Sequence, residues 1–124
     1  MLHIELDKKS GIVILSPDSA LSEGDFKKVS AVIDPYLEET GKLQGLIIYT
    51  RSFPGWKSFG AFLGHLNFVR EHHKKILHVA LVTDSAVGNL GEKLASHFIS
   101  AEIKHFRFSR LQEAKSWISP AVSI

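Results

Sequence analysis

The spacing of apolar residues changes several times along the chain, and these changes predict strands that alternate with helices. LIIY (46–49) and VALV (79–82) are continuous apolar runs, which are typical of strands buried on both faces of a parallel sheet. Apolar and polar residues alternate over 103–108, which indicates an edge strand with one solvent-exposed face. Two further short strands are predicted at residues 2–6 and 12–15.

A helix is predicted after the second strand, starting at Ser22 and ending before Gly41. Ser22 and Asp25 form a weak capping-box pattern at its start, and Gly41 is a typical C-terminal stop. Pro35 lies inside this helix and is expected to kink it, because proline removes one intrahelical hydrogen bond. The apolar residues at helical spacing are Phe26, Val29, Ile33 and Leu37.

Three more helices are predicted, one after each of the later strands. The first spans residues 56–73, and Asp84 or Ser85 caps the second. Ser109 and Gln112 form a capping box for the last one. The inward-facing apolar residues are Leu90, Leu94 and Phe98 in the second of these helices and Leu111, Ala114 and Ile118 in the last.

The predicted order of elements is therefore ββαβαβαβα. Gly11 supplies a positive φ for the turn between the first two strands. The three later strands are expected to be parallel, because helices connect them. Residues 1–124 contain no internal repeat, linker or low-complexity tract, so we expect one α/β domain.

Composition and charge exclude several classes of protein. The chain has no cysteine, so disulfides, thiol nucleophiles and cysteine metal sites are excluded. No signal-peptide pattern and no apolar run of membrane-spanning length are present, so we expect a cytoplasmic protein without stable membrane insertion. Residues 1–50 hold 5 basic and 8 acidic groups and residues 51–124 hold 10 and 5, but the basic groups are scattered. Nucleic acid is therefore not an expected partner.

No pattern of catalytic residues is present. The chain has no G-x-S-x-G motif and no glycine-rich phosphate loop between strand and helix, so we expect no enzyme activity and no cofactor. Four histidines close in sequence carry the alternative hypothesis, a metal-binding or hydrolytic protein; they are His65, His72, His73 and His78. No acid lies three or four residues beyond His65, however, and exposed histidines near a helix end are the more common arrangement.

The helix at 56–73 presents an unusual surface. Two glycines at G-x-x-x-G spacing weaken it by about 1 kcal/mol each, and close approach of another backbone is the usual compensation. Phe68 faces away from the arc of the helix that packs on the sheet. Tight packing within the fold explains the glycines equally well, but an outward aromatic beside small residues favours a contact surface. We expect a homodimer through Gly60, Gly64, His65, Phe68 and His72.

A second candidate surface lies where the parallel strands end. The loops after Thr50 and Thr83 open at the same edge of the sheet, where α/β proteins commonly bind ligands. An amphiphile with an acidic head fits this place, because arginine pairs with carboxylates or phosphates and Trp56 offers an apolar surface. Simple packing of Trp56 over the core is the alternative. The candidate ligand-binding residues are Arg51, Phe53, Trp56, Ser58, Asp84 and Ser85.

The order of these elements resembles the STAS fold, and the amino-acid sequences of several motifs resemble its SpoIIAA-like branch. The shared motifs are SFPGWKSFGAF after the third strand, FVREHHKK at a helix end, ILHVALVTD, and SAEIKHFRFSRLQEAKSWI near the end of the chain. The resemblance implies four or five mostly parallel strands with packed helices, and no known enzyme chemistry. It also implies a fold related to the lipid-binding lobe of Sec14/CRAL-TRIO proteins. The expected function is thus a non-catalytic module that binds a protein partner or a lipid-like molecule.

The sequence departs from the family at the phosphorylation site. Regulatory STAS domains carry a phosphorylated serine in an Asp-Ser-Ser-Gly segment after the third strand. Here Ser58 is the nearest counterpart, but Lys57 replaces the acid and Phe59 replaces the second serine. The departure argues against a switch operated by a kinase.

Overall fold

The computed structural model describes four stretches of the chain, which are residues 2–17, 23–51, 76–84 and 102–119. Within these stretches lie five strands, two α-helices and one 3₁₀ turn. They are β1 (Leu2–Asp7), β2 (Ile12–Pro17), α1 (Glu23–Thr40), β3 (Leu43–Tyr49), β4 (Ile76–Val82), β5 (Glu102–Phe106), the 3₁₀ turn (Phe108–Arg110) and α2 (Leu111–Ile118). The helices predicted after β3 and β4 lie outside the described residues.

The five strands form one mixed sheet in the order β1-β2-β3-β4-β5. β1 pairs antiparallel with β2, and every later pair is parallel. The parallel arrangement of β3, β4 and β5 is the one that the sequence predicts. One row of neighbouring residues across the four parallel strands illustrates the register. Ile14 lies opposite Ile47, Ile47 opposite Ala80, and Ala80 opposite Lys104. The row changes from apolar to charged at β5, which is the last strand in the order of the described sheet.

Both faces of the sheet are covered, which explains the continuous apolar runs of β3 and β4. On one face α1 contributes Val29, Ile33 and Leu37 to a buried cluster with side chains of β1 to β4. On the other face α2 contributes Ala114 and Ile118 to a second cluster. Burial of each large side chain contributes about 1.5–3 kcal/mol to the free energy of folding. The two helices therefore stabilise the sheet, one on each face.

Two glycines have backbone conformations that other residues rarely adopt. Gly11 has a φ of 71° in the β1–β2 turn, where its N–H donates to the Asp7 carbonyl at 2.9 Å. Gly41 has a φ of 84° after α1, and its N–H donates to the Leu37 carbonyl at 2.7 Å. The predicted turn and the predicted helix stop are therefore confirmed.

Substitution of these glycines by alanine is expected to have unequal effects. At Gly41 an added Cβ meets nothing within 4 Å, so only the positive φ is unfavourable, at about 1 kcal/mol. At Gly11 the Cβ would also lie 3.0 Å from Tyr36 Oη and 3.1 Å from Gln44 Cγ. We expect Gly11→Ala to lower the free energy of unfolding by about 1 kcal/mol more than Gly41→Ala, as measured by urea denaturation. Equal losses would show that the turn relaxes without cost.

The last strand and the last helix differ from the sequence prediction. β5 ends at Phe106 rather than at Phe108, and α2 begins at Leu111. The predicted capping box of Ser109 and Gln112 is wrong, because Arg110 occupies the N-cap position and makes no side-chain capping bond. The 3₁₀ turn takes up these residues instead, with the Arg110 N–H bonded to the Arg107 carbonyl at 2.8 Å.

The buried face of α2 agrees with the prediction. Ala114 and Ile118 are fully buried, and Leu111 is half-buried at the margin of the same cluster. In α1, Pro35 lies within the helix as predicted, whereas Ser22 lies outside the described residues. The kink at Pro35 stays a prediction.

Candidate functional site

The carboxyl ends of β3, β4 and β5 are joined by hydrogen bonds that involve residues just beyond the strands. The Thr50 N–H donates to the Val82 carbonyl at 3.1 Å, and the Thr83 N–H donates to the Phe106 carbonyl at 3.0 Å. The Arg51 carbonyl then accepts two bonds, from the Asp84 N–H at 3.2 Å and from the Thr83 hydroxyl at 3.2 Å. The start of the loop after β3 is thus held against the start of the loop after β4. Arg51 and Asp84, both predicted from sequence, meet at this edge.

Two buried threonine side chains stabilise the carboxyl edge of the sheet through hydrogen bonds. Thr83 is fully buried and Thr50 is 8% exposed. The Thr50 hydroxyl donates to the Pro17 carbonyl at 3.4 Å, which links the ends of β2 and β3. His105 adds a link between β5 and β4, because its Nε2 lies 2.8 Å from the Thr83 carbonyl oxygen. Such bonds satisfy buried polar groups and keep the edge rigid.

A stack of aromatic and cationic side chains lies at the same edge of the sheet. The rings of Tyr49 and Phe108 are parallel to within 5°, with centroids 4.5 Å apart. The Arg51 guanidinium carbon lies 4.9 Å from the centroid of the Phe108 ring. Both rings are half-buried and Arg51 is exposed. The arrangement presents a positive charge to solvent beside an apolar surface.

The backbone of Phe108 is hydrogen-bonded to Asp84, the acidic residue that follows β4. Its N–H donates to Asp84 Oδ1 at 3.0 Å, although Asp84 itself is exposed. The sequence predicts Asp84 as a helix cap or ligand contact, whereas in the structure its carboxylate accepts a hydrogen bond that positions Phe108. Neither Phe108 nor Tyr49 was among the predicted site residues. One feature of the sequence indicates Phe108 as a site residue: it follows a parallel strand, and the carboxyl ends of parallel strands meet at one edge of the sheet.

The remaining predicted site residues lie outside the described residues. Among the ligand-binding candidates these are Phe53, Trp56, Ser58 and Ser85. The same holds for the whole predicted dimer surface, made of Gly60, Gly64, His65, Phe68 and His72. Their roles stay predictions.

Comparison with known proteins identifies the family. A family model described as SpoIIAA-like matches residues 12–119, which is most of the chain. The chain belongs to the SpoIIAA-like family. The resemblance inferred from sequence is thereby confirmed, together with the α/β fold of the STAS type. Searches of curated proteins and of solved structures gave no match.

Membership sets the general class of function. SpoIIAA-like domains are typically non-catalytic regulatory or binding modules. Within the part of this SpoIIAA-like chain that the structure describes, neither helix combines the length and apolar character needed to cross a membrane.

The histidine hypothesis can be examined at one of its four residues. His78 Nδ1 lies 2.9 Å from the Gln44 carbonyl oxygen, and its Nε2 lies 3.6 Å from a carboxylate oxygen of Glu102. The ring also packs edge-on against Trp117, at 5.0 Å between centroids. Among the described residues of this SpoIIAA-like protein, no three His, Asp or Glu side chains gather as a metal site. His65, His72 and His73 lie outside those residues, so the metal-binding alternative stays a hypothesis.

Proposed function

We propose that this protein is a non-catalytic binding module whose carboxyl edge binds a fatty-acid-like anionic amphiphile. The observation that carries the proposal is the exposed Arg51 guanidinium over the Phe108 ring. Among the described residues no carboxylate forms an ion pair with Arg51. Within the part of the chain that the structure describes, this charge faces solvent without a neutralising carboxylate, which supports binding of an anion.

The chemistry of the stack favours a carboxylate head. A guanidinium bonds a carboxylate through two parallel N–H groups, and its contact with a ring limits the side-chain entropy lost on binding. Asp84 lies next to Arg51 through its backbone bond and carries a negative charge of its own. This neighbouring charge disfavours a dianionic phosphate more than a singly charged carboxylate.

The apolar tail needs a hydrophobic surface beside the head. Tyr49 and Phe108 provide one stacked pair, which exposes part of each ring. Phe53 and Trp56, on the loop that begins at Arg51, are the predicted continuation of this surface. The expected role is reversible binding without turnover, as suits a family of regulatory and binding modules.

Fluorescence titration tests the proposal. Trp117→Phe leaves Trp56 as the single tryptophan, and the protein is titrated with fatty acids and lysophospholipids below their micelle thresholds. In this background, Arg51→Gln is expected to weaken fatty-acid binding at least tenfold, because a charge-assisted hydrogen bond contributes about 1.5–3 kcal/mol. Circular dichroism establishes that each variant retains the fold.

Lys104→Gln is the matched control for this experiment. The Lys104 ammonium lies 5.3 Å from the centroid of the Phe106 ring, so it is also an exposed cation over an aromatic, but on the edge strand. It should leave the affinity for fatty acid within about twofold, since Lys104 lies over Phe106 rather than over the Phe108 ring and salt screens exposed charges. The absence of any saturable change, or equal loss in both variants, would refute the proposed site.

A further inference from the structure

β5 leaves one side of its backbone unpaired among the described strands. It hydrogen-bonds only to β4 and lies at the end of the strand order. The Phe106 carbonyl accepts the Thr83 N–H, so the backbone groups of Phe106 face β4. Because these groups alternate in direction along a strand, the N–H and C=O groups of Ile103 and His105 point away from β4. Among the described strands, none pairs with these groups, so this side of β5 can accept an added strand.

The exposed side chains along this edge are mainly basic. Lys104, His105 and Arg107 are all exposed. Glu102, the acid at the start of the strand, lies 3.6 Å from His78 Nε2 and so already has a basic neighbour. The carboxyl half of β5 therefore presents positive charge beside outward-pointing backbone groups.

An apolar surface adjoins the same edge. The rings of Phe106 and Trp117 lie 5.8 Å apart and are both half-buried, and the Lys104 ammonium lies 6.0 Å from the centroid of the Trp117 ring. A strand added beside β5 would place alternate side chains next to these rings. The surface thus offers backbone hydrogen bonds, positive charge and aromatic contact together.

We propose that β5 binds an extended acidic segment of a partner protein as an additional strand of the sheet. Backbone pairing with Ile103 and His105 supplies affinity, and the charge of Lys104 and Arg107 selects glutamate or aspartate in the added strand. The site is distinct from the carboxyl-edge stack and does not depend on its ligand.

A second copy of β5 is a poorer occupant of this edge. Antiparallel self-pairing over all five strand residues would place Lys104 directly opposite Lys104 of the other copy, and like charges so placed are destabilising. An edge lysine commonly prevents such pairing between identical sheets. The same lysine attracts a strand that carries acids.

Fluorescence anisotropy with synthetic peptides tests the proposal. The probe is a labelled eight-residue peptide of alternating valine and glutamate, and its counterpart has lysine in place of each glutamate. The acidic peptide should bind saturably and the basic one should not. Lys104→Glu should weaken acidic-peptide binding at least tenfold. Lys9→Glu, an equal charge change in the exposed β1–β2 turn, should change it less than twofold.

Amide hydrogen exchange by NMR separates strand addition from mere charge attraction. On saturation with the acidic peptide, exchange of the Ile103 and His105 amides should slow at least tenfold, because these N–H groups become hydrogen-bonded. Three outcomes would each overturn the proposal: no saturable binding, equal weakening by Lys104→Glu and Lys9→Glu, or unchanged exchange at both amides.

Discussion

Replacement of Gly45 by alanine is expected to lower the free energy of unfolding by about 2–3 kcal/mol, a large effect for one methyl group. Gly45 is buried in β3, and α2 packs directly on it. An added Cβ would collide with Ile118 Cγ2 and lie 2.6 Å from Ile118 Cδ1. Ile118 is 1% exposed and β-branched, so it has little freedom to rotate away. The substitution therefore forces α2 away from the sheet.

A double-mutant cycle in urea denaturation checks this mechanism. Ile118→Ala alone removes packing and should itself cost about 2–5 kcal/mol. In the double variant the new methyl occupies part of the vacated space, so the combined loss should be smaller than the sum by at least about 1 kcal/mol. Gly41→Ala is the control, since its Cβ meets open space. Additive losses for Gly45 and Ile118 would contradict the proposed collision.

Phe108→Ala is expected to lower the free energy of unfolding by about 2 kcal/mol, although Phe108 is only half-buried. Its ring stacks on Tyr49 and lies under the Arg51 guanidinium. An aromatic pair contributes about 0.5–1.5 kcal/mol beyond area burial, and an exposed cation–ring contact adds about 0.5–1 kcal/mol. Loss of the ring removes both contacts at once.

Two comparisons make this expectation specific. Arg107→Ala changes an exposed neighbour and should alter stability by no more than about 0.5 kcal/mol. A cycle of Phe108→Leu with Tyr49→Leu should give a coupling energy of about 0.5–1.5 kcal/mol in thermal or urea unfolding. A coupling near zero would mean that the parallel rings contribute only by excluding water.

The strands were predictable because burial of their faces restricts which residue types they can contain. β3 and β4 are covered on both faces, which requires continuous apolar residues such as those at 46–49 and 79–82. Gly11 and Gly41 were predictable for a different reason, since a positive φ excludes most other residues. These requirements are local, so they can be read without knowing the fold.

The candidate site was only partly predictable. Arg51 and Asp84 followed from the rule that parallel strands end at one edge, and the structure brings their backbones together. The contact between Arg51 and Phe108 did not follow, because the alternating pattern over 103–108 predicts a longer β5 that includes Phe108. Its position depends on the bond from its N–H to Asp84, which is 24 residues away in sequence. Spacing alone carries no information about such a contact.

Gly45 shows the same division between local pattern and long-range contact. A glycine weakens a strand, so the apolar run alone places the start of β3 at residue 46, whereas the structure begins it at Leu43. Residue spacing was enough for the α/β class, the parallel pairing and the turn glycines, since burial and backbone sterics constrain residue type directly. Packing of α2 on Gly45, the end of β5 and the Tyr49–Phe108–Arg51 stack arose from contacts between distant segments. Those contacts depend on atomic distances that exist only after the chain has folded.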